Sequence, residues 1–255
     1  MKKRSVAVGL ALIVVFAALI GLALAGCQNS SASSQSGSSA SSESSSPSLS
    51  YVLPAPKTEG DMSVEEALAN RRSRRAFTDR SLSTEQLSQI LWAAYGITGL
   101  TAGAQPQPDS YRTAPSAGAL YPLEIYVVIG SVTGIEPGVY KYIPWEHRIV
   151  QSVDGDIREA LASLSPSTST MITDAPITVV YAAVFERTTV KYGDRGRERY
   201  VYIEVGHSAQ NVYLQAEAMG LGTCAMGAFD DNKVSELLNL QKAEKPLYIM
   251  PVGYY

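Results

Sequence analysis

The chain has 255 residues, 45% hydrophobic and 18% charged, which is ordinary for a globular protein, but residues 1 to 50 offer no plausible core. Roughly 200 residues remain, enough for one domain with a real interior. The formal net charge is −3; without Lys2, Lys3 and Arg4 the 21 basic residues fall to 18 against 24 acidic ones, and an acidic chain with no basic tail argues against nucleic acid or anionic membrane surfaces as partners.

Met1-Lys2-Lys3-Arg4 is a positive start, and Ser5 to Leu22 is apolar and uncharged. Leu24-Ala25-Gly26-Cys27 and a serine run follow. The pattern resembles a bacterial lipoprotein signal. Residues 1–26 are then expected to be cleaved, and the Cys27 sulfur to carry a diacylglyceryl group. The rival reading is a retained signal anchor with an incidental cysteine. Residues 27–50 are mostly serine and cannot bury enough apolar surface to order themselves, so they read as a flexible tether to a domain at 51–255. The expected location is outside the cytoplasm, held to a membrane by lipid. The two cysteines are Cys27 and Cys224, and the two histidines, His147 and His207, stand far apart without neighbouring ligands. No metal site is expected.

Ser63 to Arg72 predicts a helix, capped by Ser63 with Glu65 and Glu66 in its first turn. Ser83-Thr84-Glu85-Gln86 is a capping box opening a second helix that ends near Gly96. Glu124 to Ile129 predicts a strand, and Val139 to Ile143 with Arg148 to Val153 predict two more around a Pro144-Trp145 turn. Asp154 to Leu164 reads as helix and Pro176 to Val184 as a central strand. A long helix over Tyr202 to Met219, a further helix over Asp230 to Leu240 and a last strand over Leu247 to Tyr254 complete the chain. The class is α+β or α/β, a sheet flanked by helices.

Three segments could carry chemistry. Arg71-Arg72-Ser73-Arg74-Arg75 is the densest positive charge. It either complements the end of a short helix or grips a phosphate through guanidinium forks and the Ser73 hydroxyl. Arg112 to Glu124 includes Pro115-Ser116-Ala117-Gly118, whose small residues let backbone approach a flat ligand. Gly220 to Asp231 is a second small-residue stretch, between two helices.

In this order and spacing the segments resemble the FMN-dependent nitroreductase family over roughly Ser63 to Tyr254. The resemblance implies an α+β fold with a central, mainly antiparallel sheet, an intertwined homodimer, and FMN at the subunit interface. It implies that Arg71 and Ser73 hold the FMN phosphate with Arg72 alongside, and that Arg75 lies near flavin N1 and O2, where a cation favours hydride acceptance at N5. It assigns Pro115, Ser116, Ala117 and Gly118 to the loop given by the other subunit, and Met226 and Gly227 to the stretch beneath the isoalloxazine. Many family members carry a basic segment after the last strand. Here Gly253-Tyr254-Tyr255 stands in that place, so phosphate neutralisation is expected to rest on Arg71 to Arg75, with Arg112 a further candidate.

Thr189 to Gly196, including Lys191-Tyr192, together with Gly206 to Asn211 and the Pro115 to Glu124 segment resembles the SagB/ThcOx-type dehydrogenase branch. Those enzymes oxidise azolines in modified peptides, and a Lys-Tyr pair assists. The resemblance makes Lys191 and Tyr192 candidate catalytic residues, taking a proton as hydride leaves a neighbouring carbon. An unperturbed lysine is protonated at neutral pH, so this role asks for desolvation or a nearby cation. The other reading is a solvent-facing Lys-Tyr in a polar loop.

Gly220-Leu221-Gly222 lacks the spacing and the preceding strand of a dinucleotide fingerprint. His207 reads as a packed or hydrogen-bonded helical residue, and Cys224 as a small buried thiol. The functional expectation is an FMN-dependent oxidoreductase that exchanges hydride between flavin N5 and a small organic or peptide-derived substrate. With no nicotinamide pool outside the membrane, a quinone or oxygen would reoxidise the flavin. The competing class is a non-catalytic surface lipoprotein that binds a small ligand or partner.

Overall fold

The computed structural model describes residues 49–255 except 101–104, 106 and 166–168. The leader at 1–26, Cys27 and the serine tether as far as residue 48 lie outside the described residues. In chain order the strands are β1 (Ser50–Val52), β2 (Ile97–Gly99), β3 (Tyr111–Arg112), β4 (Leu123–Ile129), β5 (Gly138–Ile143), β6 (Arg148–Asp154), β7 (Ile177–Val184), β8 (Gly222–Thr223) and β9 (Glu244–Gly253). The helices are α1 (Val64–Asn70), α2 (Thr84–Tyr95), α3 (Arg158–Ser163), α4 (Ser169–Asp174), α5 (Glu186–Tyr192), α6 (Val201–Ala218) and α7 (Asp231–Leu237).

Seven of the described strands form one antiparallel sheet, in the order β1-β6-β5-β4-β7-β9-β8. The expected α+β class with a mainly antiparallel sheet is therefore the observed one. β7 lies between β4 and β9 and is buried along nearly its whole length, as its unbroken apolar run requires. Alternation splits the sheet into two packed faces. Ile125, Val127, Ile129, Val179 and Tyr181 meet α2 and α6, whereas Tyr126, Val128, Val180 and Ala182 meet α3, α4 and α7. Each large aliphatic side chain buried there contributes about 1.5–3 kcal/mol.

The caps form as read. Ser63 accepts from the Glu66 amide, and Ser83 and Gln86 close a reciprocal box at the start of α2. Other boundaries moved for physical reasons. The strand before α3 runs on to Asp154, Gly155 turns at φ +83°, and Asp156 accepts from the Arg158 amide, so the helix starts four residues later than expected. β9 begins at Glu244 and carries Pro246 opposite Ala182, beside a register shift. A proline inside a strand hides that start.

The expectation of a polar loop at Thr189 to Gly196 is corrected: Lys191 and Tyr192 are the last residues of α5. Gly193, at φ +56°, caps that helix, and a π-helical turn over Gly196–Tyr200 feeds α6. Gly196 is buried, and a Cβ there would meet the Thr188 carbonyl oxygen at 2.9 Å, so only glycine lets the chain fold back this tightly. His207 is helical but exposed, against the packed role expected for it. Cys224 is buried, as read.

Candidate functional site

The arginine segment leaves α1 in an extended conformation and runs beside the chain that follows α6. Ser73 and Thr223 form a parallel bridge, and the Arg74 amide donates to the Thr223 carbonyl at 2.9 Å. Tyr213 of α6 fastens the two together. Its hydroxyl accepts from the Ala225 amide at 2.8 Å and lies 3.1 Å from Ser73 Oγ, and the Arg71 guanidinium sits 5.5 Å from its ring centroid. Met226 pairs with Ile249 of β9, which sets Gly227 at the exposed end of the stretch. Two segments about 150 residues apart in sequence, each singled out on its own, thus meet.

Side chains alternate along an extended segment. Arg71 and Ser73 both reach Tyr213, and Arg75 is exposed. Arg72 is placed differently: its Nη1 donates to the carbonyls of Ala69 and Arg71 at 2.9 and 2.8 Å, so it caps the end of α1. Arg74 lies over the Tyr255 ring. Among the described residues no carboxylate ion-pairs with Arg71, Arg72, Arg74 or Arg75.

That excess of positive charge fits a bound phosphate group. Around Gly227 the space is open: an added Cβ would come no nearer than 3.9 Å to Tyr248, and the Gly227 amide has no partner among the described residues. A flat ring can approach such backbone closely. The residues present therefore suit a group with a phosphate at one end and a planar system at the other.

The second group of candidates gathers around the Pro115 to Gly118 loop. The Ala119 amide donates to the Ser116 carbonyl and the Tyr121 amide to Ser116 Oγ, which closes a tight turn. Gly118 stands at φ +65°, Ala119 at +54° and Tyr121 at +45°. Two non-glycine residues there store about 1–2 kcal/mol each. A Cβ on Gly118 would fall 2.7 Å from the Tyr192 hydroxyl oxygen and 2.9 Å from Lys191 Nζ, so the missing side chain is what lets this pair reach the loop. Tyr192 packs edge-on against Tyr200, with ring centroids 5.0 Å apart. Lys191 is exposed, and neither its Nζ nor the Tyr192 hydroxyl has a hydrogen-bond partner among the described residues.

Beneath the loop lies a carboxylate that the motif reading missed. Glu204 of α6 is 2% exposed and accepts from the Tyr95 hydroxyl. Burial pushes its carboxyl up to about 7, with hydrogen bonds from Ser116 and Tyr95 and the Arg112 charge acting the other way. The signal was in the sequence: Val201, Glu204, Val205, Ser208, Ala209, Val212 and Ala216 form the inner stripe of α6, and an acid on that stripe is out of place. Arg112, a candidate for the phosphate, goes elsewhere. Its guanidinium lies over Tyr95 and Tyr121 and donates to the Pro108 carbonyl.

Within one chain the two groups do not merge. Glu204, under the loop, and Tyr213, against the arginine segment, are nine residues apart on α6, or about 13.5 Å along the helix.

The nitroreductase family model matches residues 68–254. The chain belongs to the nitroreductase family. It is 48% identical over 193 residues to a nitroreductase-family protein of Methanocaldococcus jannaschii, covering 76% of this chain and 91% of that one. It is 29% identical over 184 residues to the microcin B17-processing protein McbC of Escherichia coli, covering 69% of this chain and 64% of McbC; the chain thus spans a little under two thirds of McbC. A solved nitroreductase-family structure from Ralstonia eutropha superposes with a TM-score of 0.65 at 26% identity, over 80% of this chain and 89% of that one.

Proposed function

We propose that this nitroreductase-family chain is an FMN-dependent oxidoreductase of the SagB/ThcOx type. It exchanges hydride between flavin N5 and a small organic or peptide-derived substrate, acts as a homodimer, and is held outside the cytoplasm through a lipid on Cys27. The observation that carries the reading is the joining of the Arg71–Arg75 segment, through Ser73, the Arg74 amide and Tyr213, to the Thr223–Ala225 stretch, with no carboxylate among the described residues to neutralise the arginines. Arg71 and Ser73 would hold the phosphate, Arg75 would face the pyrimidine edge, and Met226 and Gly227 would support the ring.

When bound, FMN supplies a two-electron acceptor that takes hydride from carbon. Lys191, with Tyr192 relaying the proton or orienting the substrate, would take one proton from the atom next to that carbon, so that a double bond would form as hydride and proton leave. The substrate would lose two electrons, with a quinone or oxygen as the final acceptor. The exposed Lys191 must lose water to act as a base, and a docked substrate or a second copy provides that cover. Similarity to McbC, a microcin B17-processing protein, supports a peptide-derived substrate.

The dimer is supported by two features. The Pro115–Gly118 loop stands apart from the arginine segment of its own chain, which suits a loop given by a second copy. Val64, Leu68, Tyr202 and Ile203 leave large apolar side chains exposed on α1 and α6, as an interface needs. The anchor rests on the sequence around Cys27 alone, and cell fractionation tests it: protein free in the cytoplasm removes both the anchor and the reason for a quinone or oxygen acceptor.

The cofactor is tested by colour. Purified protein should carry flavin absorbance, or regain it with FMN, and bleach with dithionite. Arg71→Ala with Arg75→Ala should lower the flavin retained through gel filtration. Retention equal to wild type would remove these arginines from the site.

A further inference from the structure

The inner stripe of α6 is apolar except at Glu204 and Ser208. Ser208 is spent within the helix layer, where it donates to the Ala94 carbonyl. Glu204 instead serves the loop. Tyr95 donates to it from the end of α2, and the Ser116 hydroxyl donates to it from the start of the tight turn. Ser116 Oγ also receives the Tyr121 amide at 3.0 Å, and its carbonyl receives the Ala119 amide. One serine thus ties a buried carboxyl to the turn that holds Gly118, Ala119 and Tyr121 at positive φ. Ser116 is half-buried, whereas Gly118 beyond it is exposed.

A serine hydroxyl has one hydrogen to give and two lone pairs. With Glu204 ionised, that hydrogen is committed inward and one lone pair holds the Tyr121 amide, so Ser116 has nothing left to donate to a molecule on the loop. A neutral carboxyl is different, because it carries a proton of its own. It can keep Tyr95 on one oxygen and donate from the other to the free lone pair of Ser116, which turns the serine hydrogen outward. The titratable and charged groups facing Glu204 are Tyr95 of α2, Arg112 of β3 and Tyr121 ahead of β4. Burial pushes both tyrosines up from an already alkaline range, and the guanidinium keeps its charge. Glu204, held up to about 7 by burial, is the member of this group that changes charge near neutrality.

We infer that Glu204 is a positioning residue for the ligand face of the Pro115–Gly118 loop: ionised, it keeps the Ser116 hydrogen inside, and protonated, it lets Ser116 donate to a ring oxygen of the flavin. The assignment rests on the proposed flavin site and deepens it. Glu204 is closed to solvent, so it acts through Ser116 and not on the ligand itself. Flavin affinity is thereby coupled to a buried proton, and binding in turn favours the protonated carboxyl. The gain is one hydrogen bond to the ligand, a few-fold to about tenfold in affinity.

The full chain, freed of flavin, is titrated with FMN between about pH 5 and about pH 8, and binding is read as quenching of flavin fluorescence. The FMN phosphate titrates in the same range, but its effect cancels when variants are compared at each pH. Glu204→Gln presents the donor and acceptor of the neutral acid. It should bind FMN like wild type at the acid end and a few-fold to about tenfold more tightly at the alkaline end. Ser116→Ala should do the reverse, matching wild type at the alkaline end and binding more weakly in acid. Without flavin, the infrared band of the protonated Glu204 carboxyl, identified by its loss in Glu204→Gln, should persist to higher pH in Ser116→Ala, since the serine favours the ionised form. Affinity ratios to wild type that do not change with pH overturn the inference, as does a carboxyl band that Ser116→Ala leaves unmoved. A wild-type chain that binds no FMN at any pH, with the band shift present, overturns the flavin reading and this assignment with it. If Glu204→Gln does not fold, the affinity ratio of Ser116→Ala to wild type decides alone.

Discussion

Tyr95 of α2 donates its hydroxyl hydrogen to the Glu204 carboxylate of α6 across 2.5 Å, in a region closed to solvent and directly under Ser116. The contact joins the two helices that cover one face of the sheet to the loop carrying Gly118. It also fixes a carboxyl group where its charge is poorly solvated. Burial is the main cause of its raised titration, and the hydrogen bonds and Arg112 offset only part of it.

The first prediction follows from that carboxyl. Its folded value of about 7 lies above the ordinary 4.5, so the folded state holds the proton more tightly than the unfolded chain. Glu204 therefore favours folding fully below about pH 4.5, and this contribution is lost as pH rises towards 7. Glu204→Gln keeps an acceptor for Tyr95 and removes the titration. Urea unfolding at pH 5 and pH 8 should show the variant gaining on wild type by on the order of 2–3 kcal/mol across that interval. Parallel pH profiles for the two proteins would show that Glu204 titrates normally.

His147 should act in the opposite direction. Its Nδ1 lies 2.8 Å from the Tyr142 hydroxyl, and its Nε2 lies 2.7 Å from Ser88 Oγ and 2.9 Å from the Pro54 carbonyl. Burial holds its value below 6.5, with the Pro54 carbonyl acting the other way. A base whose folded value is lowered supports the fold above its unfolded value and loses that support as pH falls below about 6.5. The residue stands at φ +45°, which asparagine tolerates. His147→Asn should cost about 1–3 kcal/mol at pH 8 through lost buried hydrogen bonds, and the difference from wild type should narrow towards pH 5. Thermal unfolding at the two pH values checks it; a gap that widens in acid contradicts the assignment.

Much of this was legible before the structure, and the exceptions have physical causes. The arginine segment and the Gly220 to Asp231 stretch stood out by charge and by small residues. Their meeting depends on Tyr213, whose hydroxyl gave no signal because its partners come from the tertiary fold. Ser50 reads as the last residue of the serine tether and Tyr51 and Val52 give no strand signal, since a three-residue strand gains its pairing only from Arg148, Ile149 and Val150. The Thr189 to Gly196 stretch looked like a loop because Gly193 and Gly196 punctuate it, although both glycines serve a tight helical return. Glu204 could have been found, because the 3.6-residue period of α6 places an acid among core positions.

Tyr213 itself gives a prediction. Tyr213→Phe keeps the ring beneath Arg71 and removes the oxygen that receives the Ala225 amide and meets Ser73. Leaving that amide without its partner should cost about 1–3 kcal/mol in urea unfolding. The arginine segment then loses its tie to the Gly227 stretch, so the flavin-to-protein absorbance ratio after gel filtration should fall as well. A variant that loses stability and keeps its full flavin complement would make Tyr213 a purely structural residue.

Gly118 distinguishes a catalytic Lys191-Tyr192 pair from a decorative one. An alanine there meets two penalties at once: a left-handed backbone conformation, worth about 1–2 kcal/mol, and a methyl group 2.7 Å from the Tyr192 hydroxyl oxygen and 2.9 Å from Lys191 Nζ. Both contacts are to the far ends of flexible side chains on an exposed helix end, so the pair can swing aside and the fold survives. Gly118→Ala should therefore unfold with a loss close to the backbone term alone. Hydride transfer, followed as flavin reduction in a single turnover, should fall by about tenfold or more, because the proton acceptors no longer stand at the loop. Lys191→Gln should lower the same rate without the loss of stability. If both variants reduce flavin at the wild-type rate, the proton leaves by another route and the pair belongs to the surface.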